Sequence, residues 1–130
     1  MVILCIDNDP EDIEFFFEAV NALDPSIIAL SALSGREALD LLSSVTTEKL
    51  PAYIFLDINM PFMNGKETLQ EIRKTDRYAS VQIVMLSTSL DLKSREEYKV
   101  LGASHFLAKA NSLKELCDNL ANLFKPNVVK

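Results

Sequence analysis

Four short stretches of this 130-residue chain end in polar groups that could act together. The first apolar run closes on Asp7-Asn8-Asp9, and a later one closes on Asp57-Ile58-Asn59. Another ends in Ser87-Thr88, and the last runs into Lys109. Clustered carboxyl and amide oxygens suit a hard divalent cation, Mg2+ in particular, which keeps several of its waters. A cation beside Asp57 would let that carboxylate accept a phosphoryl group despite the repulsion between anions. The Ser87 hydroxyl and the Lys109 ammonium could then bind the phosphoryl oxygens. Singly, each residue is ordinary, because exposed loops are often acidic and a lysine at a strand end is unremarkable. Their joint placement at the ends of separate strands is what points to chemistry.

The groups meet only if the surrounding elements bring those ends together. Strand-like runs lie at Val2–Asp7, Ile27–Leu33, Ala52–Ile58, Val81–Ser87 and Ser104–Ala108, recurring every 23 to 29 residues, the length of one strand plus one helix. The first, third and fourth are almost continuously apolar, as strands covered on both faces should be. Between the runs the period changes to 3.6. Ile13, Phe17 and Val20, with Phe16 beside them, make one helical stripe, and Leu113, Leu116, Cys117, Leu120 and Phe124 make another. Asp9-Pro10 places a capping acid before a proline at the first helical position. Ser34 with Glu37, Asn64 with Glu67, and Ser112 with Glu115 have the offset of a capping box, Asn64 being the loosest match. The order is therefore (βα)5. Right-handed crossovers make it a doubly wound α/β fold, a five-stranded parallel sheet with helices on both faces. Such sheets place their sites beyond the carboxyl ends of the strands, where these polar residues lie. One domain is expected over 1–125, with 126–130 as a C-terminal tail.

Composition narrows the function classes. Hydrophobic residues at 48% and charged ones at 25% are ordinary for a soluble globular protein. Nineteen acids against 13 bases, a net charge of −6, argue against a nucleic-acid grip and against docking on anionic membranes. Apolar runs stay near five residues, too short for a bilayer, and the first begins at residue 2 with no space for a secretory signal before it. A cytoplasmic setting is expected. Cys5 and Cys117 sit in apolar segments near opposite ends and read as buried, reduced thiols. The lone His105 cannot form a His-based metal cluster, and Cys/His zinc spacings are absent.

The segments ILCIDNDPED (3–12), IFLDINMPFMNG (54–65), IVMLSTS (83–89) and HFLAKANSLKEL (105–116) together resemble the receiver domains of bacterial two-component response regulators. The resemblance covers essentially the whole chain. It implies a stand-alone, chemotaxis-regulator-like receiver of flavodoxin-like fold, not itself an enzyme, that takes part in a phosphorelay. Asp57 would then be the phosphoacceptor, with Asp7 and Asn8 in the acidic-pair positions. Mg2+ would be held by Asp7, Asn8, Asp57 and the backbone carbonyl of Asn59. Ser87 would be the hydroxyl switch residue, Lys109 the lysine that contacts the phosphoryl group, and Phe106 the switch aromatic. The implied partners are a sensor histidine kinase or phosphotransfer protein and a downstream protein target, with the chain a monomer or weak homodimer. Ser-Thr-Ser at 87–89 and the LAK-x-x-x-LKEL pattern are similar to receivers serving phytochrome-type sensor kinases.

Three departures from the family pattern matter. The second acidic-pair position is Asn8, so one negative charge is gone and weaker Mg2+ binding is the expected cost. Lys109 is followed by Ala110 rather than proline. A cis bond there would cost about 2.5–4 kcal/mol, so a trans bond is expected. Phe106 has no hydroxyl, so a switch there must work by packing.

Other readings fare worse. A flavodoxin-like cofactor binder would need a phosphate-cradling loop after the first strand, where this chain has Asp7-Asn8-Asp9. An aspartyl phosphatase would carry its nucleophile after the first strand and more chain to enclose a substrate. The alternative that remains is a receiver-like interaction module independent of phosphorylation, for which Asn8 is the main support. Two surface readings complete the sequence's content. Phe15-Phe16-Phe17 cannot all face one core, so Phe15 is expected exposed or half-exposed. The resemblance implies a contact surface there for a kinase or phosphotransfer domain. The weakly amphipathic helix near 92–101 could move when Ser87 does.

Overall fold

Strand residues of alternating parity face opposite sides of a sheet, and here both sides are apolar. In the computed structural model, which describes residues 1–88 and 92–128, that pattern resolves into a five-stranded sheet. The elements follow in the order β1 (Val2–Ile6), α1 (Pro10–Leu23), β2 (Ile28–Ala32), α2 (Gly35–Ser44), β3 (Tyr53–Asp57), α3 (Gly65–Arg73), β4 (Gln82–Ser87), α4 (Leu92–Val100), β5 (His105–Ala108) and α5 (Leu113–Val128). All neighbouring strands pair in parallel, in the order β2-β1-β3-β4-β5. The expected doubly wound α/β architecture is present. Ser89, part of the Ser-Thr-Ser run, lies outside the described residues.

Each face of the sheet has its own core. Ile3 and Cys5, Tyr53 and Phe55, and Val84 and Leu86 pack under α1 and α5. Leu4 and Ile6, Ile54 and Leu56, and Ile83 and Met85 pack with Ala38 and Leu42 of α2 and Leu69 and Ile72 of α3. Fully burying such a side chain stabilises by roughly 1.5–3 kcal/mol. An aromatic group ties α1 and α5 to β3. The Phe55 ring lies 4.8 Å from Phe16 and 6.4 Å from Phe124, and Tyr53 lies 5.1 Å from Phe124.

The structure corrects three details. The buried residues of α1 are Ile13, Phe16, Ala19 and Val20, with Phe15 and Phe17 half-buried, so Phe16 rather than Phe17 carries the stripe. At 100° per residue, the middle of that face falls between Phe16 and Val20, leaving the other two phenylalanines on its flanks. Likewise, Cys5 is buried but Cys117 is only partly so. The α5 helix also reaches Val128, so 126–128 are helical where a tail was expected. The buried residues Leu116, Leu120 and Phe124 hold α5 down along most of its length.

Helix starts follow the expected caps. Asp9 accepts from the Glu11 N–H at 2.9 Å, and Ser112 accepts from the Glu115 N–H at 3.1 Å. Asn64 and Glu67 form a complete reciprocal box, with both bonds at 2.9 Å. In the other two pairs the glutamate reaches one residue further back, Glu37 accepting from Leu33 N–H and Glu115 from Asn111 N–H. Two arginines lock the opposite edge of the helices. Arg73 donates to the carbonyls of Gly102, Tyr78 and Val81, and Arg77 donates to those of Leu42 and Val45.

Gly65 opens α3 with its backbone packed against the end of β3. A Cβ there would stand 2.6 Å from the Asp57 carbonyl oxygen and 2.6 Å from the Ile58 Cα. Neither atom can yield without moving the end of β3. Gly65→Ala should therefore destabilise by about 1–3 kcal/mol, the usual range for overpacking, read as a lower urea midpoint. An unchanged midpoint would show that the loop has room to relax.

Candidate functional site

Strand parity carries the polar ends to one place. Ile3, Cys5 and Asp7 alternate on β1, as Tyr53, Phe55 and Asp57 do on β3, all toward the α1/α5 side. On β5, Leu107 has that same parity and Lys109 follows it. Ser87 has the other parity, continuing Ile83 and Met85 toward the α3/α4 side, as does Phe106. The sheet thus sorts the residues into a charged group beneath α1 and a hydroxyl–aromatic pair beneath α4.

Lys109 is the hub of the charged group. Its Nζ lies 3.3 Å from Asp7 Oδ2 and 3.4 Å from Asp57 Oδ1. The two carboxylates are each 4% exposed and the lysine 27% exposed. Backbone N–H groups complete the hold. The Asp9 N–H donates to Asp7 Oδ1 at 2.9 Å, and the Asn59 N–H donates to Asp57 Oδ1 at 3.2 Å. Both Asp57 contacts fall on Oδ1.

The electrostatics follow from this geometry. Burial is the main influence on Asp57 and pushes its carboxyl pKa above the ordinary value, with the Asp7 charge adding to it. Lys109 and the Asn59 N–H offset only part of that rise. Burial opposes the charge on Lys109, but Asp57 and Asp7 outweigh it and raise the ammonium's pKa. Cys5, next to the site, is held as a thiol, its pKa pushed far above the ordinary range by burial and then by Asp7.

The other expected residues are placed as follows. Asn8 and Asn59 are exposed on the rim. Ser87 is buried at 4%, and its carbonyl accepts from the Lys109 N–H at 2.8 Å, so the hydroxyl and the lysine sit on adjacent strand ends. Phe106 is half-buried, with the Arg95 guanidinium 6.0 Å from its ring centre. No peptide bond among the described residues is cis, so Lys109-Ala110 is trans as expected.

Sequence reasoning missed two residues. Asp12, in the first turn of α1, places Oδ2 3.3 Å from Lys109 Nζ. With Asp9 as the cap it stands three residues into the helix, a spacing that could have signalled it. Phe62 stands fully exposed in the loop after β3 at φ 62°, which no local sequence signal announces.

One ammonium between two buried carboxylates leaves a negative charge uncompensated, and all the donors are hard oxygens. That donor set fits a divalent cation such as Mg2+. Among the described residues no three acids, histidines or cysteines surround a common point. A cation would therefore rest on Asp7 and Asp57 plus neutral oxygens, for which Asn8 and the Asn59 carbonyl are at hand.

Comparison with known proteins gives the family and the fold. Residues 3–121 match the response regulator receiver domain. The chain is 32% identical over 137 residues to protein-glutamate methylesterase/protein-glutamine glutaminase 1 of Methanosarcina mazei, covering 98% of this chain and 36% of that protein. The chain spans about a third or less of the length of several curated relatives that it matches. Among solved structures, the chemotaxis protein CheY4 of Vibrio cholerae superposes with a TM-score of 0.79 at 26% identity, covering 93% of this chain and 96% of that one. The phosphorylated cyanobacterial phytochrome response regulator RcpA superposes at 0.82 with 23% identity, covering 95% and 91%, a likeness of fold.

The raised pKa of Asp57 carries a stability consequence. A carboxyl whose folded-state pKa is raised is harder to ionise in the fold than in the unfolded chain. The resulting cost is absent below the ordinary pKa of 3.8 and develops as pH rises through the folded value. Asp57→Asn removes it, so this variant should melt a few degrees above the wild type at pH 7. The gap should shrink as pH falls toward 3.8. Calorimetry at both pH values checks it, and equal melting at pH 7 would contradict the assigned burial cost.

Proposed function

The chain belongs to the response regulator receiver domain family, the receiver component of two-component systems, and from that premise we propose that it accepts a phosphoryl group on Asp57. The donor is a histidine kinase or phosphotransfer protein. One observation carries the reading: a buried Asp57 carboxylate held against a lysine that a second buried acid shares.

In the proposed transfer, an Asp57 oxygen bonds to phosphorus as the bond from phosphorus to the donor's histidine nitrogen breaks. The electron pair of that bond stays on the imidazole. Lys109 donates to a phosphoryl oxygen while remaining within reach of Asp7. The buried Ser87 hydroxyl lies one strand away and supplies a second donor when it turns toward the phosphoryl group. Phe106, on the same face as Ser87, repacks with it and alters the surface near Arg95 of α4. Mg2+, held by Asp7, Asp57, the Asn8 amide and the Asn59 carbonyl, would supply the positive charge that lets two anions meet. In this reading the protein works in the cytoplasm, and the whole protein passes the signal to a downstream protein.

A second reading rests on Asn8, where the family carries an acid: a receiver-like interaction module independent of phosphorylation. Labelling decides between them. Acetyl phosphate bearing radioactive phosphorus should label the chain only when Mg2+ is present, and Asp57→Asn should carry no acid-stable label. Label persisting on that variant would overturn the assignment. A wild-type chain refractory to every phosphodonor would favour the module.

Asn8 yields a separate expectation. A unit charge about 4 Å from a cation contributes roughly 1–4 kcal/mol at effective dielectrics from water to near-surface protein. Asn8→Asp should therefore tighten Mg2+ several-fold by isothermal titration. Unchanged affinity would mean that residue 8 stays turned toward solvent.

A further inference from the structure

The loop between β3 and α3 is tied down on both sides of residue 62. Met60 is buried, Met63 lies against Gly35, and the Gly65 N–H donates to the Ile58 carbonyl at 3.0 Å. The residue left at the tip is Phe62, 102% exposed, with φ at 62°. Positive φ is adopted readily by glycine and with modest strain by asparagine, and for a bulky residue it is an outlier. The ring also stays wholly in water, where an aromatic side chain gains nothing from burial. Neither the backbone nor the packing of this chain favours phenylalanine at that point, so its use lies in contact with another molecule.

Its position says which molecule. The inference rests on the phosphoacceptor reading. A phosphohistidine must bring its phosphorus within bonding reach of the buried Asp57, so a protein donor has to close over the rim formed by the loops after β1, β3 and β5. Phe62 stands on that rim, in the loop that begins at Asp57 itself. A downstream target is under no such constraint. The neighbouring part of the rim is acidic. Asp9 caps α1, and α1 carries Glu11, Asp12, Glu14 and Glu18 and neither lysine nor arginine. We infer that Phe62 is the anchor by which this chain holds its phosphodonor, a phosphohistidine-bearing protein with an apolar socket set in a basic surround. Aromatic anchors seated in a partner's pocket commonly dominate the binding energy of an interface.

The test compares donors of different size. Autophosphorylated histidine kinases and phosphotransfer domains of the same genome are assayed with the wild-type chain, and acetyl phosphate serves as a donor too small to touch the rim. With the fastest protein donor, Phe62→Asn should lower kcat/KM at least tenfold, through KM, while Phe62→Leu recovers part of the loss. Added salt should slow the same transfer. Phe62→Asn should melt no lower than wild type, because asparagine suits the backbone, so misfolding would not account for the loss. Ile28→Thr, an exposed apolar residue at the start of β2 and so at the opposite end of the sheet, should transfer as wild type does. Unchanged kcat/KM in Phe62→Asn, or an equal fall in Ile28→Thr, overturns the proposal. So does a wild-type chain that accepts from acetyl phosphate and from none of the protein donors. Labelling from no donor of either kind overturns the phosphoacceptor reading instead, so the two fail separately.

Discussion

Two carboxylates buried on neighbouring strands share one ammonium, and much of the site depends on that unequal balance. Asp7 and Asp57 stand at the ends of β1 and β3, and Lys109 crosses from β5 to lie 3.3 and 3.4 Å from them. At such distances each pair attracts by about 5 kcal/mol at an effective dielectric near 20. Taking each ion out of water costs several kcal/mol, so the group is close to break-even as a stabilising device. Its value is chemical. Burial, with the Asp7 charge adding to it, keeps the Asp57 pKa raised. In the proposed reading, the uncompensated charge would draw a cation and leave Lys109 ready to exchange a carboxylate for a phosphoryl oxygen.

The same constraint connects the site to the surface. The Lys109 N–H is bonded to the Ser87 carbonyl, so the strand ends carrying the lysine and the hydroxyl move together. Ser87 and Phe106 lie on the α3/α4 face, and α4 meets β5 through Gly102, at φ 112°, whose carbonyl is gripped by Arg73. Arg73 also holds the carbonyls of Tyr78 and Val81, which anchors the far end of α4 to the turn before β4. A displacement begun at Ser87 would therefore meet a fixed point at Gly102 and be expressed nearer the start of α4.

Much of this was legible in the sequence, for a definite reason. Continuous apolar runs at even spacing leave few topologies open, and a parallel sheet gathers the polar residues that close those runs at one end. Asp7, Asp57 and Lys109 were found by reading the carboxyl ends of those runs, and the described strands begin and end within a residue or so of the apolar runs. What was hidden depends on backbone partners far away in sequence. The role of Arg73 could not be seen because its acceptors are carbonyls of other segments. The choice between Phe16 and Phe17 turned on where α1 rests over Phe55. The Asn64 box, the loosest match by residue type, is the one that closes fully, since a cap depends on geometry as much as on identity.

The account is tested most directly by titrating the Asp57 side-chain carboxyl, followed by carbon-13 NMR, in the metal-free wild type and in Lys109→Met. Burial and the Asp7 charge predict a wild-type pKa above the ordinary 3.8 and a further rise once the ammonium is gone. A wild-type value at or below 3.8, or one that does not move in Lys109→Met, would contradict the shared-counterion site on which the account rests.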